Sequence, residues 1–422
     1  MHYVIIGNGV AGINAANQIR SRDDDARISI ISYESDHFFS RTALMYVFCG
    51  QLSNRCVEPY ERDYYATMNF ERLRDTVVAI EPERKQLHLK QHGEFSYDRL
   101  LIAAGSVGSV ADWPGADLDG VGNFVTWQDL EWMQQQARSA RSAVVVGGGL
   151  IGIETMEILQ QAGIKTHFLI REDHFWPVAL NREEGDLVVE HMREHGCTVH
   201  LKTKLREIIG QDGRVVGVTT GDGRTIDCEM TVITIGVRPQ TDWLKDSGIE
   251  RDERGGIVVD DCLKTNIDDI YAAGDCTSVV WFNGVRRPEQ LWYTSRDQGK
   301  VAGLNMTLDD NLRSYRRGIF YNSAKFFDIE YTTAGLVNFG VEGERNWYQQ
   351  EPGTFFTERV THLPDETVIG FNMLGRRWDH RVLIGWIERK KQLSWVLDHL
   401  HEALFDEEFM PKFKLHNRAP QE

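Results

Sequence analysis

The chain of 422 residues is poor in cysteine, has no long apolar run and carries no excess of positive charge. Its six cysteines, Cys49, Cys56, Cys197, Cys228, Cys262 and Cys276, include no Cys-x-x-Cys pair. That leaves neither a zinc nor an iron–sulfur framework in view, and no metal site is expected. The cysteines read as reduced, partly buried thiols. No apolar run reaches the roughly 20 residues that a membrane-spanning helix needs. The chain starts directly in a strand pattern, Tyr3-Val4-Ile5-Ile6, with no basic leader, so the sequence predicts a cytoplasmic protein without a membrane partner. A net charge of −16 argues against nucleic acid as a partner. From residue 311 onward, 15 Lys and Arg stand against 16 Asp and Glu, so almost all the acidic excess lies earlier. In that later part Arg376, Arg377, Arg381 and Arg389-Lys390-Lys391 form a basic cluster, read as a solvated face or, alternatively, a dock for a small acidic redox protein.

The glycines, by contrast, are concentrated where they carry meaning. Gly7-Asn8-Gly9-Val10-Ala11-Gly12 and Gly147-Gly148-Gly149-Leu150-Ile151-Gly152 each follow a buried-strand pattern, the second being Ala143-Val144-Val145-Val146, and each opens a helical pattern. In such a turn the first glycine lets strand pass into helix and the second lets backbone N–H groups approach a pyrophosphate. The third lets helix pack on strand. The helix N-terminus then faces the anion with the positive end of its dipole. Two such units imply two dinucleotides. After the first, residues 28–34 form a strand pattern ending at Glu34, a carboxylate suited to an adenosine ribose. After the second, residues 165–170 lead to Arg171, a cation suited to a 2′-phosphate, with Glu172 beside it. This leans towards NADPH over NADH.

Residues 265–275 end a short apolar strand on Gly274-Asp275, and this segment resembles the flavin-binding motif of the FAD-dependent pyridine nucleotide-disulfide oxidoreductase superfamily. Residues 97–106 resemble its linker between the FAD and NAD domains. Residues 234–239 resemble the end of its NAD domain, and residues 255–260 the return to the FAD domain. Leu291-Trp292, with Gln298-Gly299 and Val301-Ala302, resembles the helix that starts beside the isoalloxazine. The resemblance runs in order from residue 1 to about 310 and implies an α/β fold with two Rossmann-like dinucleotide-binding domains and a C-terminal α+β interface domain. The implied FAD domain is 1–110 with 255–310, the NAD(P) domain 111–254, and the interface domain 311–422, in a homodimer. The cofactor-binding residues implied for FAD are Gly7, Gly9, Val10, Ala11, Gly12, Glu34, Arg41, Thr42, Val78, Ala104, Gly105, Asp275, Leu291 and Trp292, with Asp275 on the ribityl chain. Those for NAD(P)H are Gly147, Gly149, Leu150, Ile151, Gly152, Arg171 and Gly236.

Disulfide-reducing members keep a redox cysteine near the flavin, in a segment that corresponds here to residues 37–46. Thr42 falls where coenzyme A disulfide reductases and NADH oxidases carry it, and a threonine hydroxyl cannot form a thiolate or a mixed disulfide. Cys49 and Cys56 are not spaced as a flavin-facing dithiol. Residues 39–44 look more like ferredoxin reductase, rubredoxin reductase and nitrite reductase flavoprotein segments, with Arg41 near the FAD diphosphate or the flavin. The lysine those reductases often carry shortly after this arginine is missing, since Met45 or Tyr46 stands there. Glu154 matches their glutamate at the start of the NAD-domain helix. The cofactors carry the hydride chemistry, and the protein supplies alignment, so Glu154 and His380 are the only catalytic candidates. His37, His167 and His174 have no partner at a diagnostic spacing.

The function implied is an NAD(P)H oxidoreductase passing electrons through FAD to a separate acceptor, a small redox protein of ferredoxin or rubredoxin type. The alternatives are an NAD(P)H oxidase or quinone reductase and, from another class, a redox sensor like apoptosis-inducing factor. From the C-terminal part, Phe326 or Phe327 is expected beside the flavin or in the core. Leu393, Val396, Leu397, Leu400 and Leu404 form one helical face, opposite Asp398, Glu402, Asp406, Glu407 and Glu408, and are expected to pack in a domain or subunit interface.

Overall fold

The computed structural model describes residues 1–281, 284–405 and 413–416. Two compact units emerge, one of residues 1–110, 123–135 and 236–317, the other of residues 111–122, 136–235 and 318–422. The sequence reading carried the NAD(P) domain to residue 254, whereas residues 236–254 cluster with the first unit.

In the first unit the strand His2–Ile6 has both faces covered, which is why it reads as an unbroken apolar run rather than an alternation. It lies at the centre of a five-stranded parallel sheet ordered Ile270–Ala272, Arg99–Ile102, His2–Ile6, Arg27–Ser32, Phe70–Arg74. The helix Val10–Arg20 follows the central strand and turns small residues, Ala11, Ala15 and Ala16, into the interior. The helix Trp292–Asn305 packs on them backbone to backbone. A Cβ at Gly299 would stand 2.2 Å from the Ala11 carbonyl oxygen, and one at Gly303 2.5 Å from that of Ala15. Equal steps of four on both helices mean that they run in the same direction.

The second unit repeats the scheme around Ser142–Val146, in a parallel sheet ordered Thr198–His200, Lys165–Leu169, Ser142–Val146, Met230–Ile233, Val121–Gly122. Beside it in the chain comes an antiparallel sheet ordered Tyr321–Phe326, Ile329–Gly335, Val368–Leu374, Thr357–His362, Arg345–Gln350. This sheet keeps a core of its own, with Trp347, Val360, Phe371 and Met373 packed against Leu383, Trp386, Val396, Leu397 and Leu400. The apolar face expected over residues 393–404 is therefore buried inside its own unit, on the helix Leu393–His399 and the 3-10 turn Leu400–Ala403, with Leu404 packed at its edge. Asp406, Glu407 and Glu408 lie outside the described residues.

One expectation for this part is met and another needs correcting. Phe326 is fully buried among Phe175, Trp176 and Tyr331, in the core, one of the two places expected for it. Arg376 is not part of an exposed basic cluster: it is buried, with its guanidinium on Glu358 at 2.8 Å and also on Glu351. Burial nonetheless pushes the Glu358 carboxyl up to about 7, against the pull of Arg376.

Candidate functional site

The first glycine turn is shaped by contacts that admit no side chain at two positions and leave the third open. Gly7 has φ +109, and a Cβ there would stand 2.1 Å from the Ala103 carbonyl oxygen. One at Gly12 would stand 2.0 Å from the Gly7 carbonyl oxygen. At Gly9, where φ is −86 and any residue fits, a Cβ meets nothing within 4 Å. Gly9 caps the helix Val10–Arg20 without any side-chain hydrogen bond, so the first-turn N–H groups are left for a partner from outside the chain. No packing contact calls for a glycine at this position.

Asp275 belongs to the same place. Gly274 packs against Ala11 and Ser295, and the Asp275 carboxylate accepts a hydrogen bond from Ser295 Oγ at 2.8 Å. Burial pushes its carboxyl up, while the Ser295 hydrogen bond and the Arg41 charge pull it back. Ser295 lies in the first turn and a half of the helix Trp292–Asn305, whose N-cap Leu291 also lacks a side-chain hydrogen bond. Trp292 at its start meets the Arg296 guanidinium, 5.5 Å from the ring centre.

Glu34 and Arg41, both expected at the cofactor, are joined. Arg41 grips both Glu34 oxygens, at 2.7 and 2.6 Å, and donates to the Val125 carbonyl at 2.7 Å. The Trp127 backbone N–H adds a third hydrogen bond at 2.9 Å. A carboxylate has about four acceptor positions, so three bonds orient Glu34 and leave room for a ribose hydroxyl. Gly105, with φ +72, turns beside Ala104 and accepts from the Gln240 N–H at 3.0 Å. Val78 sits on a separate antiparallel sheet at a register shift, with an exposed side chain. Its contribution would come from the backbone. Thr42 is exposed in the short turn Arg41–Ala43, 3.2 Å from Ser40 Oγ.

The second turn, in the second unit, repeats the first. A Cβ at Gly147, φ +121, would stand 2.5 Å from the Thr234 carbonyl oxygen, and one at Gly152 2.2 Å from the Gly147 carbonyl oxygen and against the Phe168 ring. Gly149 is open and caps the helix Leu150–Gln161 with no side-chain hydrogen bond. Leu150 and Ile151 open that helix, and Glu154 lies on it. Burial and the neighbouring Glu157 push the Glu154 carboxyl up to about 7. Arg171 is exposed but already paired with Glu172 at 2.6 Å, which opposes its assignment to a 2′-phosphate. Gly236, φ +114, falls in the first unit, where its carbonyl accepts from the Ser109 N–H at 2.9 Å.

These open glycines make a separable pair of tests. Gly9→Ala should leave the melting temperature unchanged and weaken FAD binding by at least about 1 kcal/mol from overpacking, roughly fivefold in affinity. Gly149→Ala should do the same for NAD(P)H and spare FAD content. Flavin loading and the NAD(P)H KM read the two effects separately. A fall in both variants' stability with unchanged binding would show that the glycines serve packing alone.

The remaining candidates are tied up elsewhere. His380 is hydrogen-bonded through Nε2 to the Asn322 carbonyl at 2.9 Å, and burial holds its pKa below the usual histidine range. It anchors the antiparallel sheet and is poorly placed to give protons away. His37 pairs with Arg72, His167 stacks on His200, and His174 pairs with Asp173. None of the six cysteines is in a disulfide. Burial pushes the thiols of Cys228 and Cys276 up to about 11, and Cys56 is exposed, with a hydrogen bond from Ser53 lowering its thiol.

A family model described as pyridine nucleotide-disulphide oxidoreductase matches residues 1–299. Among characterised proteins, a nitrite reductase [NAD(P)H] of Bacillus subtilis is 31% identical over 93% of this chain and 48% of its own length. An NADH oxidase of Methanocaldococcus jannaschii is 29% identical over 82% of this chain and 78% of its own. The ferredoxin–NAD(+) reductase subunit of a Pseudomonas putida benzene 1,2-dioxygenase system is 28% identical over 71% of this chain and 73% of its own. Against the nitrite reductases this chain spans half of the relative's length or less. An NAD-dependent persulfide reductase from A. fulgidus shares the fold, with a TM-score of 0.85, 24% identity and coverage of 94% of this chain and 79% of that one.

Proposed function

The chain belongs to the pyridine nucleotide-disulphide oxidoreductase family, and we propose that it is a FAD-dependent NAD(P)H oxidoreductase whose electrons leave the flavin directly for a separate small redox protein of ferredoxin or rubredoxin type. The observation that carries this reading is residue 42. A relay through a disulfide needs a thiolate, and an exposed threonine hydroxyl stands in that segment. The redox chemistry would be supplied by bound FAD, which couples a two-electron hydride donor to two one-electron acceptors.

The chain's own residues bind and orient. The first-turn N–H groups after Gly9 hold the diphosphate of FAD, Glu34 takes the ribose under the grip of Arg41, and Asp275 takes the ribityl hydroxyls. The N–H groups after Gly149 hold the diphosphate of NAD(P)H, and the pairing of Arg171 with Glu172 favours a nucleotide without a 2′-phosphate. Burial and Glu157 push the Glu154 carboxyl up to about 7, which reduces the negative charge it sets against that diphosphate at the helix start. The division into an FAD domain at 1–110 and 255–310, an NAD(P) domain at 111–254 and a C-terminal domain at 311–422 is kept as part of this proposal, as is a homodimer.

The M. jannaschii relative named as an NADH oxidase makes oxygen the competing acceptor. Purified protein supplied with NADH should turn over rapidly with ferredoxin or rubredoxin and slowly with oxygen or quinone alone. Turnover with oxygen alone as fast as with any redox protein would overturn the proposal.

A further inference from the structure

In the second unit, away from both glycine turns in the chain, the helix Arg182–Glu194 ends on two histidines four residues apart, His191 and His195. Four residues is one turn and a little more, so both imidazoles stand on one face, with ring centres 4.4 Å apart. Opposite them is Asp328, in the two-residue hairpin turn between Tyr321–Phe326 and Ile329–Gly335. Phe327, first in that turn, has φ +58 and packs its ring on His195 at 4.8 Å. Its N–H is held by Glu157 at 3.2 Å. The turn therefore presents Asp328 to the helix by design of its backbone.

The orientation of the two rings is the informative part. His191 Nε2 contacts Asp328 Oδ1, and His195 Nε2 faces the same oxygen at 3.9 Å. Both Nδ1 atoms point away: His195 Nδ1 donates to the His191 carbonyl at 2.9 Å, whereas the buried His191 Nδ1 makes no hydrogen bond and has Glu194 Oε2 at 3.7 Å. A backbone carbonyl only accepts, so the His195 proton sits on Nδ1 and its Nε2 carries a lone pair when the ring is neutral. That lone pair meets an ionised carboxylate, which is also an acceptor, across a gap that a cation would bridge. A histidine turned by an oxygen on one nitrogen, as His195 is, with its other nitrogen and that of a neighbouring histidine directed at a shared point, forms an arrangement that supports metal ligation.

We propose that His191, His195 and Asp328 bind a zinc ion that clips the end of the helix to the hairpin turn. The ligand atoms of the three side chains lie within 4.8 Å of one another. Zinc bonds of about 2.0–2.2 Å in a tetrahedron place ligands roughly 3.3 Å apart, and Asp328, 71% exposed, has the freedom to rotate to that spacing. Two imidazoles and a carboxylate suit zinc and leave the fourth position to water. The competing state of the same geometry is a protonated His191 paired with Asp328.

Full-length, FAD-loaded protein stripped with a chelator and dialysed against micromolar zinc chloride tests the site. One zinc per chain is expected in the parent, with loss of that equivalent in His195→Ala and in Asp328→Ala, both at accessible positions. Cobalt(II) should give the parent alone a visible tetrahedral absorption, and zinc should raise the melting temperature of the parent and not of the variants. No stoichiometric uptake by the parent, or equal uptake by parent and both variants, overturns the proposal.

Discussion

Asp275→Ala is expected to lose most of its flavin during purification. A buried hydrogen bond to a charged group is worth about 1.5–3 kcal/mol, which lowers FAD affinity roughly 10- to 150-fold. The loss should come from binding and not from unfolding. The carboxyl is held in an environment that burial makes unfavourable to its charge, so its removal relieves that cost while taking a hydrogen-bond acceptor from Ser295 and a nearby negative charge from Arg41. The measurement is flavin absorbance per polypeptide, alongside the melting temperature of the flavin-stripped parent and variant. A fully loaded yellow variant would remove Asp275 from the site. The corresponding Asp275→Asn variant keeps the shape and one acceptor oxygen, and should fall between the two.

The two dinucleotide turns were legible because their rule is local. The three glycines of each fingerprint stand within six residues of chain, and although Gly7 and Gly147 also meet the distant Ala103 and Thr234 carbonyls, the closest contacts that exclude a Cβ at Gly12 and Gly152 come from carbonyls of the same turn. Glu34 and Arg41 were each identified, but their mutual grip was not, because it is completed by Val125 and Trp127 from a distant segment. The apolar face of residues 393–404 was legible as a helical stripe. Its partner, the antiparallel sheet, was not, since nothing in a stripe says what covers it. For Phe326 the flavin side and the core both stayed open, because the core it joins needs Phe175 and Trp176 from a distant segment as well as Tyr331 close by. His191, His195 and Asp328 escaped for the same reason, the aspartate lying 137 residues from the first histidine.

Arg359→Ala should be the most destabilising of the substitutions considered, at about 3–5 kcal/mol, the cost of leaving a buried charge without its partner. Both side chains of the Arg359–Glu184 pair are essentially inaccessible to water. Arg359 grips the carboxylate with Nε and Nη2, both at 2.9 Å, and spends its remaining donors on Asn338 at 2.8 Å and the Ala179 carbonyl at 2.7 Å. Glu184 in turn accepts from Asn372 at 3.0 Å and closes the capping box at the start of the helix Arg182–Glu194, with Asn181 N–H at 2.9 Å. Truncating the arginine leaves that carboxylate with two neutral donors in a dry interior, and it also takes the guanidinium donor from the Asn338 Oδ1 and Ala179 carbonyl acceptors. Since a domain has only about 5–15 kcal/mol in total, the urea midpoint of the second unit should fall by a large fraction of its value. The double variant Arg359→Met with Glu184→Gln removes both charges and should recover part of the loss, because an apolar or neutral replacement of a buried ion pair costs far less than breaking it. The double variant proving no more stable than Arg359→Ala would mean that the capping box, not the stranded charge, dominates the energetics at Glu184.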